Sequence, residues 1–211
     1  FNFIQTFHSI TFKEIGIDKP NYIKANSLFR KIIKNLSIYL EKKTCKKYKL
    51  ILSSSDIVSK LYKKAFQNKN LKITGFPRDD VLFDKNLAFR DYKKILNLKN
   101  YKRIILYART FRDNQTKSPF DKEFFKKLNK RLEAENSILL VKKHTNDKDL
   151  IVPKLSNIKD VTQFVDDIQE LLTITDTLIT DYSGVAFDFS LLYKPTIFFI
   201  YDYNEYIKKC R

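Results

Sequence analysis

The sequence predicts an α/β protein made of two doubly wound, parallel-sheet lobes. Three observations lead there. Short β-prone apolar runs alternate with segments of helical period along most of the 211 residues, the pattern of parallel strands joined by crossover helices. The alternation lapses once, over residues 85–102, where charges crowd and no clean strand is visible, and then restarts. Polar and charged residues gather directly after the strand runs, where open α/β sheets collect their ligands. The lobes are accordingly residues 1–84 and 103–211, with 85–102 as the connection.

In the first lobe, residues 3–7 read as a strand that runs into the loop Phe7-His8-Ser9-Ile10-Thr11-Phe12-Lys13. After Pro20 a long helix sets Leu28, Phe29, Ile32, Ile33, Leu36, Tyr39 and Leu40 on one apolar face. Leu50–Leu52 is the next strand. Ser53–Ser55 lead into a helix with Ile57, Val58, Leu61, Tyr62, Ala65 and Phe66 on one side, and Leu71–Thr74 is a third strand ending in Gly75-Phe-Pro-Arg-Asp-Asp80.

In the second lobe, Arg103–Tyr107 is a strand, Ala108–Pro119 a loop, and Asp121–Leu132 a helix aligned on Phe124, Phe125, Leu128 and Leu132. Ser118 is its expected cap, with Pro119 in the first turn. The strand Ile138–Val141 ends at Lys142-Lys143-His144. Val161 closes a further short strand, and Asp166–Leu172 is a helix with acids in its first turn. Leu178–Thr180 is a strand followed by the turn residues Asp181, Ser183 and Gly184. Val185, Ala186, Phe189 and Leu192 then recur at helical spacing until Pro195 stops the helix, and Ile197–Ile200 resumes a buried strand.

The composition narrows the partners. Forty-one basic residues against 24 acidic give +17, which calls for an acidic partner: nucleic acid, anionic lipid, or a phosphate-bearing substrate. A genome biased toward Lys, Asn, Ile, Phe and Tyr supplies part of that excess. The 2 cysteines are too few for a disulfide framework and point to a reducing cytoplasm. No apolar run reaches the roughly 18–20 residues that span a bilayer. The chain opens on an apolar strand without an initiator Met and ends without a capping signal, so it reads as a fragment whose termini are not domain edges.

The chemistry-bearing residues fall in three sets. A Ser-Gly pair, Ser183 and Gly184, opens a helix just past a strand's carboxyl end, where free N–H groups favour phosphate; an ordinary helix cap is the plainer alternative. The only two histidines, His8 and His144, both follow strands and could accept a proton from a hydroxyl or hold a phosphate oxygen. Arg78, Arg109 and Arg112 also sit at strand ends and can clamp a diphosphate, or pair with Asp79, Asp80 or Asp113. Asp188 lies between Phe187 and Phe189, where an acid needs a partner; it could bind a polyol hydroxyl or cap a backbone group. No Gly-rich dinucleotide fingerprint, P-loop, nucleophile elbow or zinc cluster occurs. Neither a metal nor a cofactor is expected.

Five of these stretches together resemble the CDP-glycerol glycerophosphotransferases, the teichoic acid and capsule polymerases. Residues 4–16 resemble that family's Trp-His-Gly-Thr-Pro-Leu-Lys segment, and Gly75-Phe-Pro-Arg-Asp-Asp80 its Gly-Tyr-Pro-Arg-Asn-Asp. Tyr107-Ala-Arg-Thr-Phe-Arg-Asp113 resembles Tyr-Ala-Pro-Thr-Phe-Arg-Asp, and Lys143-His144 resembles the Lys-Leu-His-Pro region. Asp166-Asp-Ile-Gln-Glu-Leu-Leu172 and Ile179-Thr-Asp-Tyr-Ser-Gly-Val-Ala-Phe-Asp-Phe189 resemble the remaining two-part block. The chain differs by Ser9 for Gly, Thr11 and Thr145 for Pro, Arg109 for Pro, and Gly184 for a second Ser.

The resemblance implies a GT-B-like fold of two Rossmann-like lobes, the first lacking its opening strands. It implies transfer of glycerol phosphate, or another polyol phosphate, from a CDP-polyol to a hydroxyl of an anionic polymer or linkage lipid, releasing CMP. On it, His8 is the general base and His144 a second catalytic residue. Ser9, Thr11, Arg78, Thr110, Arg112, Lys143, Ser183, Gly184 and Asp188 bind substrate. The expected location is the cytoplasmic face of the cell membrane, held peripherally by its anionic surface. No nucleic-acid partner is expected, and homo-oligomerisation is left open. The alternatives are a GT-B glycosyltransferase using a nucleotide sugar, or a non-catalytic basic module for anionic lipid or nucleic acid.

Overall fold

The structure is a computed structural model that describes residues 3–7, 15–16, 28–87, 90–112, 119–144, 147 and 150–209. The chain divides into two compact units, Phe1–Pro77 with Asn204–Arg211, and Arg78–Tyr203.

The first unit carries strand β1 (Phe3–Gln5), helix α1 (Leu28–Lys46), strand β2 (Tyr48–Ser53), helix α2 (Asp56–Phe66) and strand β3 (Leu71–Ile73). The strands form one parallel sheet in the order β1-β2-β3. Ser55 caps α2 by accepting from the Val58 N–H, and Gln67 ends it in the left-handed region, so the helix starts and stops where its capping chemistry requires. Its buried stripe is Val58, Tyr62, Ala65 and Phe66, packed with Cys45, Ile51 and Phe76. Ile57 and Leu61, read as part of that face, point to solvent at 72% and 53% exposure. Gly16 has φ +58, and a Cβ there would lie 2.4 Å from the Ala65 carbonyl oxygen; only glycine fits.

The expected apolar face of α1 is uncovered over its described side chains. Ile32, Ile33, Leu36, Tyr39 and Leu40 are 44–57% exposed. Periodicity finds such a face without telling what covers it.

The second unit opens with a 3-10 helix at Pro77–Leu82 and a short helix α3 (Tyr92–Ile95). The segment read as a connection is packed into this unit: Tyr92, Leu96 and Leu98 are 1–3% exposed and join the core with Ile104, Leu106 and Leu140. Then come β4 (Arg103–Tyr107), α4 (Lys122–Ala134), β5 (Ser137–Val141), β6 (Ile158–Asp160), α5 (Ile168–Ile174), β7 (Thr177–Thr180), α6 (Val185–Ser190) and β8 (Thr196–Phe198). A last helix, α7 (Tyr203–Lys209), crosses the boundary between the units. The cap of α4 is Asp121, accepting from the Phe124 N–H at 2.7 Å; the expected cap Ser118 lies outside the described residues.

All five strands are parallel in the order β6-β5-β4-β7-β8. The chain winds from β4 outward through β5 and β6, then returns to β7 and winds the other way to β8. That is the doubly wound topology, and its switch point lies between β4 and β7, the place at the carboxyl ends of such sheets where ligands generally bind. Strand β5 is buried at every position, as a central strand covered on both faces should be.

Candidate functional site

The site is built from loops at the carboxyl ends of β4, β5, β7 and β8, all in the second unit. Two buried arginines hold them together. Arg109, 5% exposed, grips Asp147 in bidentate fashion, Nε to Oδ2 at 2.7 Å and Nη2 to Oδ1 at 2.6 Å, and donates from Nη1 to the Tyr201 hydroxyl at 3.2 Å. Arg112, 8% exposed, donates from Nε to Asp202 Oδ2 at 2.6 Å and from Nη2 to Asp181 Oδ2 at 2.7 Å. Its guanidinium lies 5.3 Å from the Tyr182 ring and 5.9 Å from the Tyr201 ring, within reach of cation–π attraction. Burial works against the charge of both arginines, but the aspartate hydrogen bonds outweigh it and leave their pKa values raised. Burial also pushes the Tyr182 hydroxyl up to about 12.

Asp181 is the residue that fastens β4's loop to β7's. One oxygen accepts from the Thr110 backbone N–H at 2.7 Å and the other from Arg112. The Thr110 hydroxyl oxygen is buried without a hydrogen-bond partner among the described residues. Beyond Asp181, Ser183 Oγ accepts from the Val185 N–H at 3.4 Å, and Gly184 takes the cap position of α6 with no side-chain capping bond. The backbone N–H groups of Ser183 and Gly184 donate to no acceptor among the described residues. Two adjacent N–H groups beside a strand's carboxyl end can receive an anion.

The β5 loop lies beside this one. The His144 ring is exposed and stacks on Phe111, with centroids 5.3 Å apart at 22°. Lys143 pairs with Asp160 at 2.8 Å and donates to the Leu150 carbonyl at 3.2 Å, while its own N–H is received by the Thr162 hydroxyl at 3.0 Å. Burial of Asp160 is outweighed by bonds from Lys143 and Thr162, which lower its pKa. Burial lowers that of Lys142.

Arg78 and Asp188, expected separately as substrate contacts, pair with each other. The Asp188 carboxylate also accepts from Gln169 Nε2 at 3.0 Å, and the same amide reaches Asp79 at 3.1 Å. Asp188 is pushed up by burial, and Asp79 is pushed up to about 6 by burial first and by Asp188 second.

Thr110 and Arg112 thus meet the turn that holds Ser183 and Gly184 through Asp181. His144 lies against Phe111 of the β4 loop, and Lys143 turns away to Asp160. Arg78 and Asp188 form their own ion pair, with Asp188 one helical turn past Gly184. His8, Ser9 and Thr11 lie outside the described residues. Sequence reasoning missed Asp147, Gln169, Tyr201 and Asp202, and it read Asp181 only as turn chemistry. The available signal was a buried-charge argument, since each Arg in an apolar setting needs a carboxylate.

Comparison with known proteins supplies the family. Residues 1–211 match the family described as CDP-Glycerol:Poly(glycerophosphate) glycerophosphotransferase. A teichoic acid poly(ribitol-phosphate) polymerase of Bacillus spizizenii is 39% identical over 179 residues, covering 79% of this chain and 28% of that protein. A teichoic acid glycerol-phosphate transferase of Staphylococcus aureus is 30% identical over 221 residues, covering 97% of this chain and 53% of that protein. Among solved structures, the wall teichoic acid polymerase TagF superposes on the whole chain with a TM-score of 0.79 at 27% identity, over 52% of its own length. The chain therefore spans about half or less of the relatives it matches, and the α/β, GT-B-like class expected from the sequence is borne out. This chain belongs to the CDP-glycerol:poly(glycerophosphate) glycerophosphotransferase family.

Proposed function

We propose that this protein transfers a polyol phosphate, glycerol phosphate in the first instance, from a CDP-polyol to a hydroxyl of a teichoic-acid-like or capsular polymer or its linkage lipid. The acceptor oxygen attacks the β-phosphorus in line, the bond to the bridging oxygen breaks, and CMP leaves. The observation that carries this reading is the pair of unengaged N–H groups at Ser183 and Gly184, set beside Thr110 at the sheet's switch point. They suit the donor's diphosphate. His144, stacked on Phe111 beside the same loops, adds a hydrogen-bond donor for the developing anion, whereas Lys143 serves by holding its own loop to Asp160. Arg112 serves the donor through the loops it ties together. His8 takes the acceptor's proton; this role rests on the motif.

Among the described residues no helix is long and apolar enough to cross a membrane. We infer peripheral attachment to the anionic inner face of the cell membrane. Its support is the net charge of +17 and the exposed Ile32, Ile33, Leu36, Tyr39 and Leu40 on α1, a helix that also carries Lys31, Lys42, Lys43 and Lys46. Apolar and basic side chains on one surface helix suit an anionic headgroup layer.

The test of the activity is CMP release from CDP-glycerol and CDP-ribitol in the presence of a lipid-linked acceptor, with nucleotide sugars as controls. Turnover with a CDP-polyol alone supports the proposal. Turnover with a nucleotide sugar alone would replace it.

A further inference from the structure

Among the described residues, the carboxylates around Arg78 outnumber the cations paired with them. Asp79 and Asp188 are 7% and 4% exposed. Gln169, 2% exposed, spends its amide N–H groups on both, and its Oε1 has no hydrogen-bond partner among the described residues. The charged groups acting on Asp79 are Arg78 and Asp80 from its own turn and Asp188 from α6; α5 contributes the neutral amide. Arg78 pairs with Asp188 and has its Nε 3.6 Å from Asp79. Among the described residues, two buried carboxylates against one guanidinium leave a negative charge that a neutral amide cannot balance. A proton can.

We propose that Gln169 is a positioning residue that ties Asp79 and Asp188 into one proton-accepting pair behind Arg78, and that protonation of the pair releases Arg78 toward the donor's diphosphate. This rests on the donor-binding reading of Arg78. The raised pKa of Asp79, near 6, sets the direction. Above it both carboxyls are charged and draw the guanidinium inward; below it one is neutral and the cation is available to an anion. The donor is a diphosphate diester, which does not titrate in this range, so the change belongs to the protein.

The experiment measures CDP-glycerol affinity by calorimetry at pH 7.5 and 5.5 for wild type, Asp79→Asn and Gln169→Leu. Carboxyl-carbon NMR titration of the same proteins is read without donor. Wild type gains about threefold or more in affinity on acidification beyond any gain in Asp79→Asn, whose affinity at pH 7.5 already matches the acid form. Any pH dependence from the rest of the protein is common to both and cancels. The NMR titration shows one aspartate with a midpoint near 6 in wild type, absent from Asp79→Asn and displaced upward in Gln169→Leu. Equal pH dependence in wild type and Asp79→Asn overturns the release of Arg78. An Asp79 midpoint at the ordinary value of about 3.9 overturns the pair itself. Absence of CDP-glycerol binding at both pH values overturns the donor reading and the release with it, while the titration still decides the pair.

Discussion

Replacing Arg112 with Met removes the cation from a buried pocket and leaves its two carboxylates behind. Asp181 and Asp202 are 3% and 8% exposed and lie 2.7 and 2.6 Å from the guanidinium. Orphaning a buried ion-pair partner costs about 3–5 kcal/mol. Each acid keeps one donor, the Thr110 N–H at 2.7 Å for Asp181 and the Tyr182 hydroxyl at 3.5 Å for Asp202, so the lower end, about 3 kcal/mol, is expected near neutral pH. That is a large share of the roughly 5–15 kcal/mol that stabilises a domain. The pH dependence has a definite sign. In the variant the penalty comes from charge left on two buried carboxylates without their cation, so it falls away as acid neutralises them and grows as pH rises. The gap between wild type and variant should therefore shrink toward pH 5. Urea unfolding followed by circular dichroism at pH 7.5 and pH 5 measures both quantities, and Arg112→Lys, which keeps charge but loses the fork, should fall between. A loss under about 1 kcal/mol at pH 7.5, or one that does not vary with pH, would refute the reasoning. It would return Arg112 to the solvent-facing phosphate clamp that the sequence suggests.

The remaining predictions are independent of that pocket. His8→Ala should abolish CMP release while leaving CDP-glycerol affinity within about twofold; equal turnover in the two proteins would end the general-base assignment. Gly16→Ala puts a Cβ 2.4 Å from a backbone oxygen at φ +58 and should cost at least about 2 kcal/mol of stability, read as a lowered unfolding midpoint. Ile33→Glu with Leu36→Glu on α1 should weaken sedimentation with anionic vesicles at least about tenfold without lowering the thermal midpoint, because both side chains are exposed. Undiminished vesicle binding would remove α1 from the membrane account.

The fold was legible because parallel sheets advertise themselves. The run at 103–107 and the fully buried run at 137–141 leave little choice of secondary structure. The site was legible only in part. The Ser183-Gly184 turn follows directly from a strand end, so local sequence finds it, whereas Thr110 comes only from the family resemblance. The pairing of Arg78 with Asp188 spans 110 residues, and nothing local announces it. The same holds for Arg112 with Asp202, 90 residues apart. A sequence shows that an arginine stands at a strand end, but its work depends on which carboxylates the topology delivers. The α1 stripe carries the converse lesson: helical spacing of Ile32, Ile33, Leu36 and Leu40 is the same whether the face meets a core or a membrane. The segment 85–102 was read from its charges, yet three of its apolar residues, Tyr92, Leu96 and Leu98, enter the core.

A calorimetric titration of the protein with CDP-glycerol, repeated on Gly184→Pro, bears most directly on the central claim that the switch-point turn receives the donor's diphosphate. Proline suits the Gly184 φ of −60 and removes one of the two N–H groups. Saturable binding near one site per chain, weaker by about tenfold in the variant and preferred over nucleotide sugars, is the predicted result. Binding of equal strength in the two proteins, or binding that salt abolishes with no preference for the cytidine nucleotide, would contradict it.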